Sequence, residues 1–292
     1  MTEVNLPESR GALLGSGCRS NRGAMTDLWV SLAVLGVAVL LSEWTRRTAA
    51  LLPGVSRVYL LEAASTFQLC GCCHELKLLG ESGRLELLVG LTITYTMTVI
   101  HLLTFRGASC NPSGALEGFC RGSSSGKSAS VLILCQFGAA VAAQHFAAAV
   151  WSLGLSDLHL RHQKFGYRCF DPLGGTVLEA AAVELVCAFM VQAVAVHVYR
   201  VPEKLRVHCF AAVITVLVYI GGSISGAVFN PVLAFSIQFP CSGHTYVEYC
   251  FIYWLGPMLG VASCVLLFEK VLPFLSGKTS VSVPAAQKQK TQ

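Results

Sequence analysis

Two short phrases, 119 residues apart, constrain this chain more than anything else in it. Gly107-Ala108-Ser109-Cys110-Asn111-Pro112 returns as Gly226-Ala227-Val228-Phe229-Asn230-Pro231. Each copy follows a long apolar segment and opens a short one. Asparagine is a favoured helix N-cap, and proline is tolerated at the first helical position because its missing N–H would be unpaired anyway. Two matched helix starts at the ends of membrane-length segments predict two homologous halves around a pore.

The composition agrees with a membrane setting. The chain is 54% hydrophobic and 13% charged, with mean hydropathy +0.61. These values exclude an ordinary soluble domain. The net charge of +5 sits in short loops between apolar runs, so it reports orientation and gives no sign of a nucleic-acid partner. Most of the 13 cysteines fall inside apolar segments (Cys70, Cys135, Cys187, Cys209 and Cys264 among them), where cysteine packs as a small apolar residue.

Six segments are expected to span the membrane: 58–79, 85–105, 129–153, 176–199, 207–222 and 247–268. The Asn-Pro phrases follow the second and the fifth. Each half then has three spans and one half-helix, and an odd number of spans per half inverts the second half relative to the first. The predicted fold class is an all-α polytopic membrane protein, six transmembrane helices plus two re-entrant half-helices in inverted repeat. Residues 1–26 read as a disordered polar tail. An extra apolar helix lies in 27–50, whose apolar core, 28–42, is only 15 residues long and reads as interfacial or partly inserted. The channel domain covers 56–270, and 271–292 form a C-terminal tail. Glu62 and Glu184 open the two halves at matching places. A carboxylate inside a span needs partners, so both are expected to hold the re-entrant loops.

With residue 57 placed in the cytosol, 13 Lys and Arg fall on the cytosolic side and 5 opposite, which puts the C-terminus in the cytosol. If both half-helices aim their N-termini at one point, their positive dipole ends converge there with the Asn111 and Asn230 amides. A positive centre opposes cations, breaks proton-conducting water chains and suits neutral hydrogen-bonding solutes.

These elements resemble the aquaporin (major intrinsic protein) family. The matching residues are the two Asn-Pro loops, the Glu62 and Glu184 motifs, Gln136-x-Gly138, and Tyr253-Trp254-x-Gly256-Pro257-x-x-Gly260. The resemblance implies a pore in each protomer and a homotetramer in a lipid bilayer. The family usually reads Asn-Pro-Ala twice; here the triplets are Asn111-Pro112-Ser113 and Asn230-Pro231-Val232. The filter arginine position is Leu233, and the filter's aromatic and histidine positions fall on Leu91 and Val218. These departures resemble the unorthodox intracellular, aquaporin-11-like branch. The implied function is a passive channel for water and small neutral solutes such as glycerol or hydrogen peroxide, needing no cofactor and doing no enzyme chemistry. The alternative is a structural membrane protein of this fold that conducts little.

Several weaker signals remain. Cys70, Cys73 and His74 share a helical face and read as packing rather than metal ligands. Asp157, His159 and His162 read as a solvated loop, and His145 as a satisfied packing residue. Cys169 and Cys241 lie on the same side, but nothing in the sequence pairs them. Lys288 and Lys290 fit an endoplasmic-reticulum retrieval pattern, which is an address rather than an anchor.

Overall fold

The computed structural model describes residues 10–81, 83, 85–167, 169, 173–239 and 241–276, with side chains from Gly23 onward. Among them it is all helical. The helices are α1 (Arg10–Ala49), α2 (Val55–Glu81), α3 (Leu87–Thr104), the half-helix α4 (Pro112–Cys120), α5 (Gly126–Ser152) and the short α6 (Asp157–Lys164). They continue with α7 (Val177–His197), α8 (Glu203–Ser225), the half-helix α9 (Pro231–Ile237) and α10 (Tyr246–Leu275). The long helices run end to end between two faces. The basic end carries Arg46, Arg106, Arg121 and Arg200, and the disulfide end carries α6 and the Cys169–Cys241 bridge.

The N-terminal helix is longer than expected. The expected tail boundary at residue 26 falls inside α1, which starts at Arg10. Its apolar stretch runs over Gly23–Ala49, 27 residues, and is long enough to cross a membrane. The reason lies in which face is buried. Asp27, Ser31, Val34, Leu35, Ala38, Ser42, Arg46 and Ala49 form a buried helical stripe, while Trp29, Leu40 and Trp44 point outward. The stripe is polar at both ends, so a scan for unbroken apolar residues stops short of it.

That stripe faces α2. Of the long helices, α2 is the one too polar to be counted among the six apolar enough to span. It buries Glu62, Ser65, Thr66, Gln68 and Glu75, packed between α1 and α5. Glu75 accepts hydrogen bonds from Ser31 Oγ of α1 (2.7 Å) and Trp151 Nε1 of α5 (2.8 Å), and pairs with His159 Nε2 of α6 at 3.0 Å. The Asp27 carboxylate accepts from the backbone N–H of Leu158. Thus α1 takes the place of lipid against a helix that lipid would not solvate. His159 is fully buried, so the solvated-loop reading of α6 is overturned. His145 lies exposed on the outside of α5 rather than packed.

Close packing is set elsewhere by glycine. A Cβ on Gly260 would stand 2.2 Å from the Leu185 carbonyl, so α10 meets α7 backbone to backbone. Two π-helical stretches interrupt α10, Phe251–Leu255 and Leu267–Val271. Each lies just before a proline, Pro257 or Pro273, whose missing N–H leaves a carbonyl one turn back unbonded.

Candidate functional site

The two half-helices start as their sequences demand. Asn111 caps α4 by accepting from Ser113 N at 3.0 Å, and Asn230 caps α9 by accepting from Val232 N at 3.1 Å. Proline occupies the first turn of each. The loops before them share two backbone turns as well as letters. Gly107 and Gly226 both have φ +87°. Three residues on, Cys110 (φ +51°) and Phe229 (φ +40°) both enter the left-handed region, which costs a non-glycine residue on the order of 1 kcal/mol or more.

The carboxylates at the head of each half hold these strained loops. Glu62 accepts from Ser109 N (3.1 Å), Cys110 N (2.6 Å), Ser109 Oγ (2.8 Å) and Gln136 Nε2 (2.7 Å). Glu184 accepts from Ser225 Oγ (2.6 Å), Val228 N (3.0 Å) and Phe229 N. Ser109 and Cys110 correspond to Val228 and Phe229 in the repeat, so each carboxylate serves equivalent amides. Tyr253 completes the second site by donating to the Ser225 carbonyl at 2.7 Å.

The loops meet inside the bundle, where Asn230 Nδ2 donates to the Cys110 carbonyl at 2.7 Å. From this junction α4 runs to the basic end and α9 to the disulfide end. A cavity of about 1150 Å³ adjoins it, and Asn111, Asn230, Leu91, Val218 and Leu233 all line that cavity. Pro112, Ser113, Pro231 and Val232 are buried behind the caps. The sequence reading therefore named residues that the fold brings to one cavity. It passed over Phe229 and His101, which line it too. His101 carried no motif, and its position is visible only once α3 is placed against α2.

The mouth at the disulfide end is braced. Cys169 and Cys241 are bonded, with Cα atoms 4.8 Å apart. Lys77 Nζ donates to the Ile237 carbonyl (2.7 Å) and Gln238 Oε1 (2.6 Å), fixing the C-terminal end of α9. His74 sits 3.0 Å from Ser236 Oγ, and Cys70 packs in the apolar core. Among the described residues no cluster of metal-ligating side chains is found.

Six membrane-length apolar helices, two capped half-helices meeting inside the bundle and a cavity at their junction define a multi-pass membrane channel. Comparison with known proteins agrees. The family described as Major intrinsic protein matches residues 89–268, and the chain belongs to that family. It is 36% identical to "Aquaporin-11" of Homo sapiens over 263 residues, covering 89% of this chain and 96% of the relative. It is 34% identical to "Aquaporin-12" of Mus musculus, covering 86% and 89%. A more distant match is "Aquaporin-11" of Milnesium tardigradum, 26% identical and covering 78% and 82%. These relatives place it in the aquaporin-11-like branch. As a family member it is a channel for water or small solutes and not an enzyme.

Proposed function

We propose that this channel favours small neutral solutes such as glycerol and hydrogen peroxide over water, relative to family members with a charged filter. The observation that carries the reading is that Leu91, Val218 and Leu233 line the same cavity as Asn111 and Asn230. Three aliphatic side chains offer no donors to replace a water molecule's hydration, but they accept the carbon face of a polyol. The Asn-Pro caps, supported by Glu62 and Glu184, supply the hydrogen-bonding half of the path. The pore runs within each protomer of a homotetramer.

The membrane we assign is that of the endoplasmic reticulum, on the strength of the likeness to the unorthodox intracellular branch; Lys288 and Lys290 lie outside the described residues. The basic end faces the cytosol. With α1 crossing, Arg10, Arg19 and Arg22 join the opposite side and raise its count to eight against 13. A Cys169–Cys241 bridge on the far side suits an oxidising lumen. Relocation to the cell surface on changing Lys288 and Lys290 to Ser tests the address.

The transport reading is tested by stopped-flow light scattering on proteoliposomes under water and glycerol gradients, with an entrapped dye for peroxide. Glycerol and peroxide entry above that of empty liposomes, with only a small gain for water, is expected. A large gain for water and none for glycerol or peroxide contradicts the apolar filter. No gain for any of them transfers the reading to a structural protein of this fold.

A further inference from the structure

Arg46 is fully buried, and it arrives on α1, the helix that stands outside the two three-span halves. Its Nε contacts Glu43 at 3.1 Å and its Nη2 donates to Gln68 Oε1 at 2.7 Å. Its Nη1 is buried with no hydrogen-bond partner among the described residues. From Gln68 the contacts run on into α3. Gln68 Nε2 donates to Thr104 Oγ1 at 3.0 Å, and that hydroxyl donates to the Ile100 carbonyl at 2.7 Å with the His101 carbonyl 3.3 Å away. His101 lines the cavity beside Cys110 and Asn111. Its Nε2 is also buried and without a partner among the described residues. Through Gln68, Arg46 is thus tied to the turn of α3 that carries His101.

Glu43 is shared among Arg46 (3.1 Å), Arg47 (3.1 Å) and Arg106 (2.7 Å). Arg47 and Arg106 are exposed and screened by water, so Arg46 is the one buried cation of the group. Glu62 is a negative charge bonded directly to the Cys110 amide and spread over Ser109 and Gln136, so Arg46 is the positive charge that offsets it on this side of the pore. A charge in a low-dielectric interior is weakly screened and acts across a layer of side chains.

We propose that Arg46 is a selectivity residue: it supplies the fixed positive charge that keeps protons and cations out of the basic half of the pore. This position matters in a chain whose second loop carries Leu233 near the junction. Arg46 stands behind the cavity wall, so a neutral solute does not touch it and a cation feels its field. The inference rests on the pore reading above.

The test uses the full chain in proteoliposomes, comparing wild type, Arg46→Gln, Arg46→Lys and Glu43→Gln. Glycerol entry is read by light scattering, proton leak by an entrapped pH dye with the potential clamped, and chloride leak by an entrapped halide-sensitive dye. Arg46→Gln is expected to keep glycerol entry within about twofold and to raise proton leak about tenfold or more, while Arg46→Lys behaves as wild type. Glu43→Gln leaves Arg46 in place and removes its counter-charge. It is expected to raise chloride leak severalfold without raising proton leak, and so decides the matter even if Arg46→Gln does not fold. Unchanged proton leak in a glycerol-conducting Arg46→Gln, or raised proton leak in Glu43→Gln, overturns the proposal. A wild type without glycerol entry defeats the pore reading and takes this inference with it.

Discussion

Asn230 donates its side-chain amide to the backbone carbonyl of Cys110 at 2.7 Å. The cap of the second half-helix is thereby bonded to the loop that carries the first. The two halves of the repeat are joined at the point where their helix dipoles converge, and the geometry of each loop depends on the other.

The carboxylates that hold the loops should be intolerant of even an isosteric change. Glu184→Gln replaces an acceptor of two backbone N–H groups with a group that must turn a donor toward one of them. The expected loss is about 2–3 kcal/mol. Thermal unfolding of the detergent-solubilised variant checks it. Glu62→Gln, at the equivalent loop, should behave alike, and wild-type melting of both variants would contradict the loop-holding role.

Leu233 is nearly buried, at 9% exposure, on the first turn of α9. Leu233→Arg puts a guanidinium into the cavity beside Asn230. Glycerol entry should fall about tenfold while water entry is kept or raised, measured by stopped-flow on matched proteoliposomes. An unchanged ratio of the two would remove Leu233 from the filter.

The Cys169–Cys241 bridge closes a loop of 72 residues, so its removal should cost about 2–4 kcal/mol. Cys169→Ser should lower the melting temperature of the purified protein, and reductant should lower that of wild type by the same amount. A reductant-insensitive melt would mean that the bridge is absent from the folded protein.

Removal of residues 1–49 should leave α2 facing lipid with Gln68 and Glu75 bare of their α1 partners. The truncated chain is expected to lose its single peak in size-exclusion chromatography. A monodisperse truncated chain that still conducts glycerol would show that α1 is dispensable.

Much of this architecture is legible in the sequence, for reasons that can be traced to particular residues. The Asn111 and Asn230 caps declare themselves because a helix start within an apolar region needs a side-chain acceptor for its first N–H groups, and proline is at home in its first turn. The inversion follows from counting spans. What stays hidden is the full length of α1, expected only over 27–50, because its buried stripe of Asp27, Ser31, Ser42 and Arg46 is matched to polar α2 rather than to an apolar core. A hydropathy pattern records the solvent a face meets, and here the inward face is the polar one. The same reasoning explains His159, which reads as a loop histidine until α6 folds it onto Glu75. The Cys169–Cys241 pairing is likewise set by tertiary structure, since α7, α8 and α9 intervene in the chain.

The most direct test of the central claim, that solute passes through the cavity at the Asn-Pro junction, is glycerol entry into proteoliposomes bearing Leu91→Trp, with Leu88→Trp as control. Leu91 lines the cavity, whereas Leu88 lies on the same helix with 75% of its surface exposed. The account predicts that Leu91→Trp brings entry down to that of empty liposomes and that Leu88→Trp leaves it at the wild-type rate. Wild-type entry in a correctly folded Leu91→Trp would place the path elsewhere and contradict the account.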